Sequence, residues 1–253
     1  MIDNSEFGKE FEPITSQQMY EIENNGEKTC GMKKLLMMEN AGSRISDYLI
    51  NKFNDEIINK KIVTLCGLGN NGGDAIVSNR HLSGHIFAKQ SRKSSNSSTN
   101  KIKTNLFLIL LGNPRLLKTD EAKTNWEIIE KLESINKIIY DENNITAIEN
   151  EIEKADIIID GIFGTGISSM IKNPFSTIID KINNQKTKSF ILSVDIPSGL
   201  NPNTGEIYDK SVKPHATITF HRIKHGLLKN PKDIGEIHPV KIGIPIEAEK
   251  DVI

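Results

Sequence analysis

The run Ile62-Val-Thr-Leu-Cys66 is short, β-branched and free of polar alternation, the pattern of a strand covered by helices on both faces. It breaks at once into Gly67-Leu-Gly-Asn-Asn-Gly-Gly-Asp74, and Ala75-Ile-Val-Ser-Asn-Arg-His-Leu82 then carries a helical pattern. A strand that runs through glycines into a helix N-terminus forms a cradle. Gly67, Gly69, Gly72 and Gly73 permit positive φ and close backbone approach, while the free N–H groups of the helix point back at the loop. Further strands follow at Leu106–Leu111, Lys137–Tyr140, Asp156–Asp160 and Phe190–Asp195, with helical spacing over Glu121–Ile135. Strands alternating with helices imply right-handed crossovers and a mostly parallel sheet in an α/β domain.

The first glycine loop has three readings, which its residues separate. Gly67-x-Gly69-x-x-Gly72 fits the dinucleotide fingerprint, but no Asp or Glu lies between Asp74 and Asp120 to hold a ribose. A P-loop needs Lys followed by Ser or Thr after its last glycine, and this chain has Gly73-Asp74. What remains is two amides and a carboxylate at a helix mouth, oxygen ligands suited to hydroxyl groups, to a hard cation or to backbone-held phosphate. Two later strands also deliver acids to their carboxyl ends. Asp160 precedes Gly161-Ile-Phe-Gly-Thr-Gly166, and Asp195 precedes Ile196-Pro-Ser-Gly199. Ligands of open parallel sheets bind outside the strand carboxyl ends, so Asn71, Asp160 and Asp195 are expected to meet at one crevice.

Composition narrows the partners. Thirty-two basic residues offset 33 acidic ones in a chain of 253, a net charge of -1 that leaves no electrostatic footprint for nucleic acid. Two cysteines far apart, Cys30 and Cys66, suggest a reducing compartment and neither a disulfide framework nor a zinc site. The acidic first residues resemble neither a signal nor a transit peptide, and no run reaches membrane-spanning length, so a cytoplasmic location is expected. Thr15 caps a helix that turns Met19 and Ile22 inward. Leu35 opens a second helix to about Phe53, whose methionines read as core and whose Ala41-Gly42 allow close approach to another helix or another subunit. Residues 89–105 are rich in Ser, Asn and Lys and contain no acid, which reads as a mobile surface insertion in one domain spanning residues 1–253.

Four segments, residues 67–74, 160–166, 193–200 and 219–227, together resemble the NAD(P)H-hydrate epimerase family, the YjeF N-terminal domain. Leu36-Met-Met-Glu-Asn-Ala-Gly42 is similar to the early helix of that family, and residues 234–245 to its closing strand. The resemblance implies a Rossmann-like three-layer α/β/α sandwich, commonly a homodimer, acting on NADHX and NADPHX. Family members interconvert the R and S epimers of these hydrated nicotinamide cofactors for a separate dehydratase. Carried over by position, Asn70, Asn71, Gly72, Gly73 and Asp74 would bind substrate. So would Gly164, Thr165, Gly166, Ile167, Ser168, Ser169 and Met170. Asn71, Asp160 and Ser198 would coordinate a potassium ion, and Asp195 would touch the hydrated ring. The chain departs from the pattern at Ser169, where members often carry a basic residue that Lys172 would replace, and at His225, where members usually have proline.

The expected chemistry follows from the substrate. The hydrated carbon bears a hydroxyl and the ring nitrogen, so the nitrogen lone pair expels hydroxide and water re-enters from the other face. Asp195 is expected to stabilise the cation and to serve as acid and base, with Lys224 steering phosphate or assisting proton transfer. A NAD-dependent oxidoreductase and a non-catalytic nucleotide-binding scaffold of the same fold are the rival readings. The first lacks its ribose acid, and the second has no need of the acids retained here.

Overall fold

In the computed structural model, which describes residues 8–93, 104–165, 170–207 and 209–253, strand β1 (Ile62–Cys66) parts its side chains between two cores. Ile62 and Cys66 enter one apolar layer and Val63 and Leu65 the other, so all are buried and no polar alternation is needed. Beside β1 lie β2 (Leu106–Leu110), β3 (Asn136–Ile139), β4 (Ile157–Gly161), β5 (Phe190–Val194), β6 (Ala216–Phe220) and β7 (Glu236–Val240). They form one sheet in the order β3-β2-β1-β4-β5-β6-β7, and every pairing is parallel. The first layer holds α1 (Ser16–Cys30), α2 (Lys34–Phe53), α3 (Asn70–Lys93) and α4 (Asp120–Glu130). The second holds α5 (Ile145–Glu153) and α6 (Phe175–Asn184). The result is the expected three-layer α/β/α sandwich. From β1 the chain steps outward to β3, then returns to β4 on the other side of β1, which places the reversal of strand order at the carboxyl ends of β1 and β4. Among the described residues, no helix is long and apolar enough to cross a membrane.

Local signals explain several boundaries. Thr15 caps α1 reciprocally: its side chain accepts from Gln18 N at 3.1 Å, and Gln18 Oε1 accepts from Thr15 N at 2.9 Å. The helix runs to Cys30 and stops at Gly31 with φ 72°. Glycine propensity placed the start of α3 at Ala75, but the helix begins at Asn70, so Gly72 and Gly73 are helical and none of the cradle glycines has positive φ. Close approach is what these positions demand. A Cβ on Gly67 would lie 1.8 Å from Ile162 O, and one on Gly72 would lie 1.9 Å from Gly67 O. The predicted insertion is corrected at both ends. Residues 89–93 continue α3, and Asn105 accepts from Ile62 N at 2.9 Å at the edge of the sheet. Its middle, residues 94–103, lies outside the described residues.

Gly42 serves helix packing within the chain: a Cβ there would lie 2.3 Å from Val77 Cγ1 and 2.9 Å from Asp74 O of α3, while Ala41 is buried in the same core. We expect Gly42→Ala to lower stability by about 2 kcal/mol through overpacking, and Val77→Ala in the same chain to recover part of that loss. Urea unfolding of the two single variants and the double variant checks this, and additive losses would contradict it.

Candidate active site

Asp160 is the innermost acid. It pairs with Leu65 across the β1–β4 register and with Ser193 across β4–β5, so its carboxylate lies at the strand reversal and is fully buried. Four donors converge on it: Ser193 Oγ at 2.7 Å, Ser198 N at 2.9 Å, Ser198 Oγ at 2.5 Å and Ile162 N at 3.3 Å. Burial raises the pKa of this acid, and the bonds from Ser198 and Ser193 oppose the rise. Ser198 Oγ also accepts from Phe163 N at 2.9 Å, which joins the β4 and β5 loops. The Asn71 amide completes the joint by donating to Val194 O at 2.6 Å and Phe163 O at 3.1 Å. Gly164 is required beside it, because a Cβ there would lie 2.4 Å from Asn71 Oδ1.

Asp195 follows β5 with φ 60°, a left-handed conformation uncommon outside glycine. Its Oδ1 accepts from Phe220 N and Thr219 Oγ1, each at 3.1 Å, and from Lys224 Nζ at 2.5 Å. Lys224 is no surface lysine. It has 0% exposure and is the largest of the fully buried side chains, and its ammonium donates again to Phe220 O at 2.9 Å. A buried ammonium tolerates that position only with a paired carboxylate and carbonyl acceptors around it.

In front of this pair opens a cavity of about 150 Å³. Of the residues singled out in the sequence, Asn70, Asn71, Asp74, Thr165, Asp195 and Lys224 line it. The other expected residues divide. Gly72 and Gly73 are turned into the packing, Gly73 against Met38. Asp160 and Ser198 form the layer beneath, and Met170 is 69% exposed and is not part of the wall. Gly166, Ile167, Ser168 and Ser169 lie outside the described residues.

Three charged wall residues were not anticipated: Glu23 from α1, Lys34 from α2 and Glu121 from α4. Glu23 had a readable signal. Met19, Ile22 and Gly26 are buried, and Glu23 shares their stripe at helical spacing, a carboxyl group on an otherwise apolar face. Burial pushes Glu23 up to about 7, opposed by Lys224 and reinforced by Asp195. Asp74 is raised well above the usual carboxylate range, by burial first and then by Asp195 and Glu23.

A second network steadies the loop that carries Lys224. Arg222 grips Glu249 through Nε at 2.7 Å and Nη2 at 2.6 Å. Beside it His221 is 1% exposed, its Nε2 lies 2.9 Å from Glu249 Oε1, and burial lowers its pKa to about 4 against the pull of that carboxylate.

Residues 34–226 match the model of the family described as YjeF-related protein N-terminus. The chain belongs to this family. It is 39% identical over 240 residues to a NAD(P)H-hydrate epimerase of Nitrosopumilus maritimus, covering 95% of this chain and 99% of that one. A bifunctional NAD(P)H-hydrate repair enzyme of Pyrobaculum aerophilum is 34% identical, and the alignment covers 94% of this chain and 43% of the relative. The crystal structure of the yeast protein ynu0 superposes with a TM-score of 0.69 at 21% identity, covering 85% of this chain and 82% of that one, and shows the shared fold. Glu23 lies outside the stretch matched by the family model.

The His221 environment carries a pH consequence. Its folded pKa lies below the unfolded value of about 6.5, so the unfolded chain binds the proton first and stability is lost as pH falls through that window. Between about pH 7 and about pH 5 the wild type should lose about 2 kcal/mol more than His221→Asn, which suits a left-handed backbone. Denaturant titrations at the two pH values measure the difference, and equal losses would refute it.

Proposed function

We propose that this protein epimerises the hydrated nicotinamide of NADHX and NADPHX. The observation that carries the reading is Asp195, held in a left-handed turn and ion-paired to Lys224 on the wall of a cavity at the carboxyl rim of the sheet. Similarity to a NAD(P)H-hydrate epimerase over nearly the whole length of both chains supports it.

The wall suits the chemistry. Expelling hydroxide leaves positive charge shared between the ring carbon and nitrogen, and a fixed carboxylate beside that carbon stabilises it without reorganisation. Among the described residues every protein donor to Asp195 bonds Oδ1, so Oδ2 keeps its lone pairs for the ring or for the entering water. Lys224 holds this carboxylate oriented through its 2.5 Å contact with Oδ1. Its burial behind Asp195 assigns it to that task in preference to steering phosphate. Asn70, Thr165 and Asp74 supply hydrogen-bonding groups for the carboxamide and ribose.

A potassium ion held by Asn71, Asp160 and Ser198 belongs to the same proposal. The donor set fits: all are oxygens, one carries a formal charge whose burial a cation would offset, and Phe163 O and Val194 O adjoin them. Asn71 now turns its amide nitrogen to those carbonyls, and a half-turn of the amide would present oxygen instead. When bound, the cation would fix the β1 and β4 loops and add positive charge beneath the substrate. A homodimer, and coupling to a dehydratase acting on one epimer, complete the proposal, the latter prompted by the bifunctional relatives.

The protein incubated with separated NADPHX epimers should interconvert them, followed by chromatography, and should incorporate oxygen from labelled water at the hydrated carbon. Asp195→Asn should lower kcat by about 10²-fold or more while KM moves only a few-fold. Turnover by that variant at the wild-type rate would refute the role of Asp195.

A further inference from the structure

Epimerisation through loss and re-addition of water needs a proton given on one face of the ring and a proton taken on the other. A single carboxylate on one wall meets only one of these demands. The cavity wall holds two further acids, Asp74 at the mouth of α3 and Glu23 on α1. We propose that Glu23 is the second proton-transfer residue of this site, working from the α1 wall of the cavity while Asp195 works from the sheet rim. The proposal rests on the epimerase reading.

Three observations favour Glu23. It occupies the inward stripe of α1, so its carboxyl is directed at the cavity by the same helical spacing that buries Met19 and Ile22. Among the described residues it has no hydrogen-bond or ion-pair partner, which leaves the group free to exchange a proton with a ligand, whereas Asp195 is fixed by three donors. Its surroundings also differ from those of Asp195. Glu23 is raised to about 7 and so carries a proton near neutrality, while Asp195 Oδ1 is ion-paired to the Lys224 ammonium at 2.5 Å. The groups around Glu23 are Lys224 and Asp195 from the sheet rim, Lys34 from α2, Asp74 from α3 and Glu121 from α4. Asp74, at the mouth of α3, is also raised by burial and serves as a hydrogen-bond donor to the ligand.

The step balances without an outside reactant. Glu23 gives its proton to the departing hydroxyl as the carbon–oxygen bond breaks and the nitrogen lone pair forms the iminium. Water leaves, a second water bonds the opposite face, and its proton passes to Asp195. One carboxyl has lost a proton and the other has gained one, and exchange with solvent water restores the starting state. For the other epimer the roles reverse.

Glu23→Gln and Glu23→Asp would be assayed on both NADPHX epimers across pH. Glu23→Gln should lower kcat by about 10²-fold to 10³-fold with KM within about threefold. The wild-type rate should fall as pH rises through about 7, where Glu23 loses its proton, and the glutamine variant should lack that limb. Glu23→Asp, one methylene short, should keep the limb and recover part of the rate, and it decides the matter if the glutamine variant does not fold. A glutamine variant with wild-type kcat, or with the alkaline limb intact, overturns the role of Glu23 and leaves the epimerase reading standing. A wild type that converts neither epimer removes the reading itself.

Discussion

The buried ion pair between Lys224 and Asp195 governs the electrostatics of the whole rim. Lys224 is wholly enclosed, so its charge is tolerable only beside a carboxylate, and the left-handed backbone at Asp195 brings that carboxylate within 2.5 Å. Burial raises the pKa of Glu23 and Asp74 against the opposing pull of the same ammonium. Those acids are displaced toward their protonated forms, and Asp195 itself adds to the displacement. The rim thereby presents one ion-paired carboxylate beside two acids that burial shifts toward their protonated forms.

Backbone contact does for position what the ion pair does for charge. Gly67, Gly72 and the Ile162 carbonyl approach so closely that no side chain fits between them, which fixes the start of α3 against the loop after β4. Asn71 is thereby set between Val194 O and Phe163 O, and Asp160 with Ser198 closes the joint from below. Three loops far apart in sequence behave as one rigid base. Rigidity of this kind lets a site hold its dipoles in place before the substrate arrives.

Much of this was legible in the sequence because strand ends leave strong signatures. The unbroken apolar runs, the glycines after Cys66 and the acids at Asp160 and Asp195 gave the parallel sheet and the side of it that carries the crevice. Other features depend on tertiary context that no local pattern encodes. Glycine has low helix propensity, so the first turn of α3 read as loop, but packing against Gly67 and Met38 holds Gly72 and Gly73 helical. Helix α6 was not read from the sequence, since Phe-Ser-Thr-Ile-Ile carries the β-branched residues of a strand. A lysine looks the same in sequence whether solvated or enclosed, so the burial of Lys224 was invisible. Glu23 showed itself only as an acid on an apolar stripe, and the fold decides that this stripe faces a cavity.

The way α1 is tied down bears on the order in which the protein is built. Its first turn is held by Asn203 Oδ1, which accepts from Ser16 N across 187 residues, and Gln18 Nε2 donates to Val252 O across 234. Ile14 bridges to Lys224, joining the entry of the helix to the loop of the buried ammonium. Closing such long loops is entropically expensive, so these contacts form after the local strand–helix units have condensed. A chain still emerging during synthesis would hold a recognisable sheet and no working pocket. Competence would arrive abruptly, when the stretch around Val252 meets the first turn of α1.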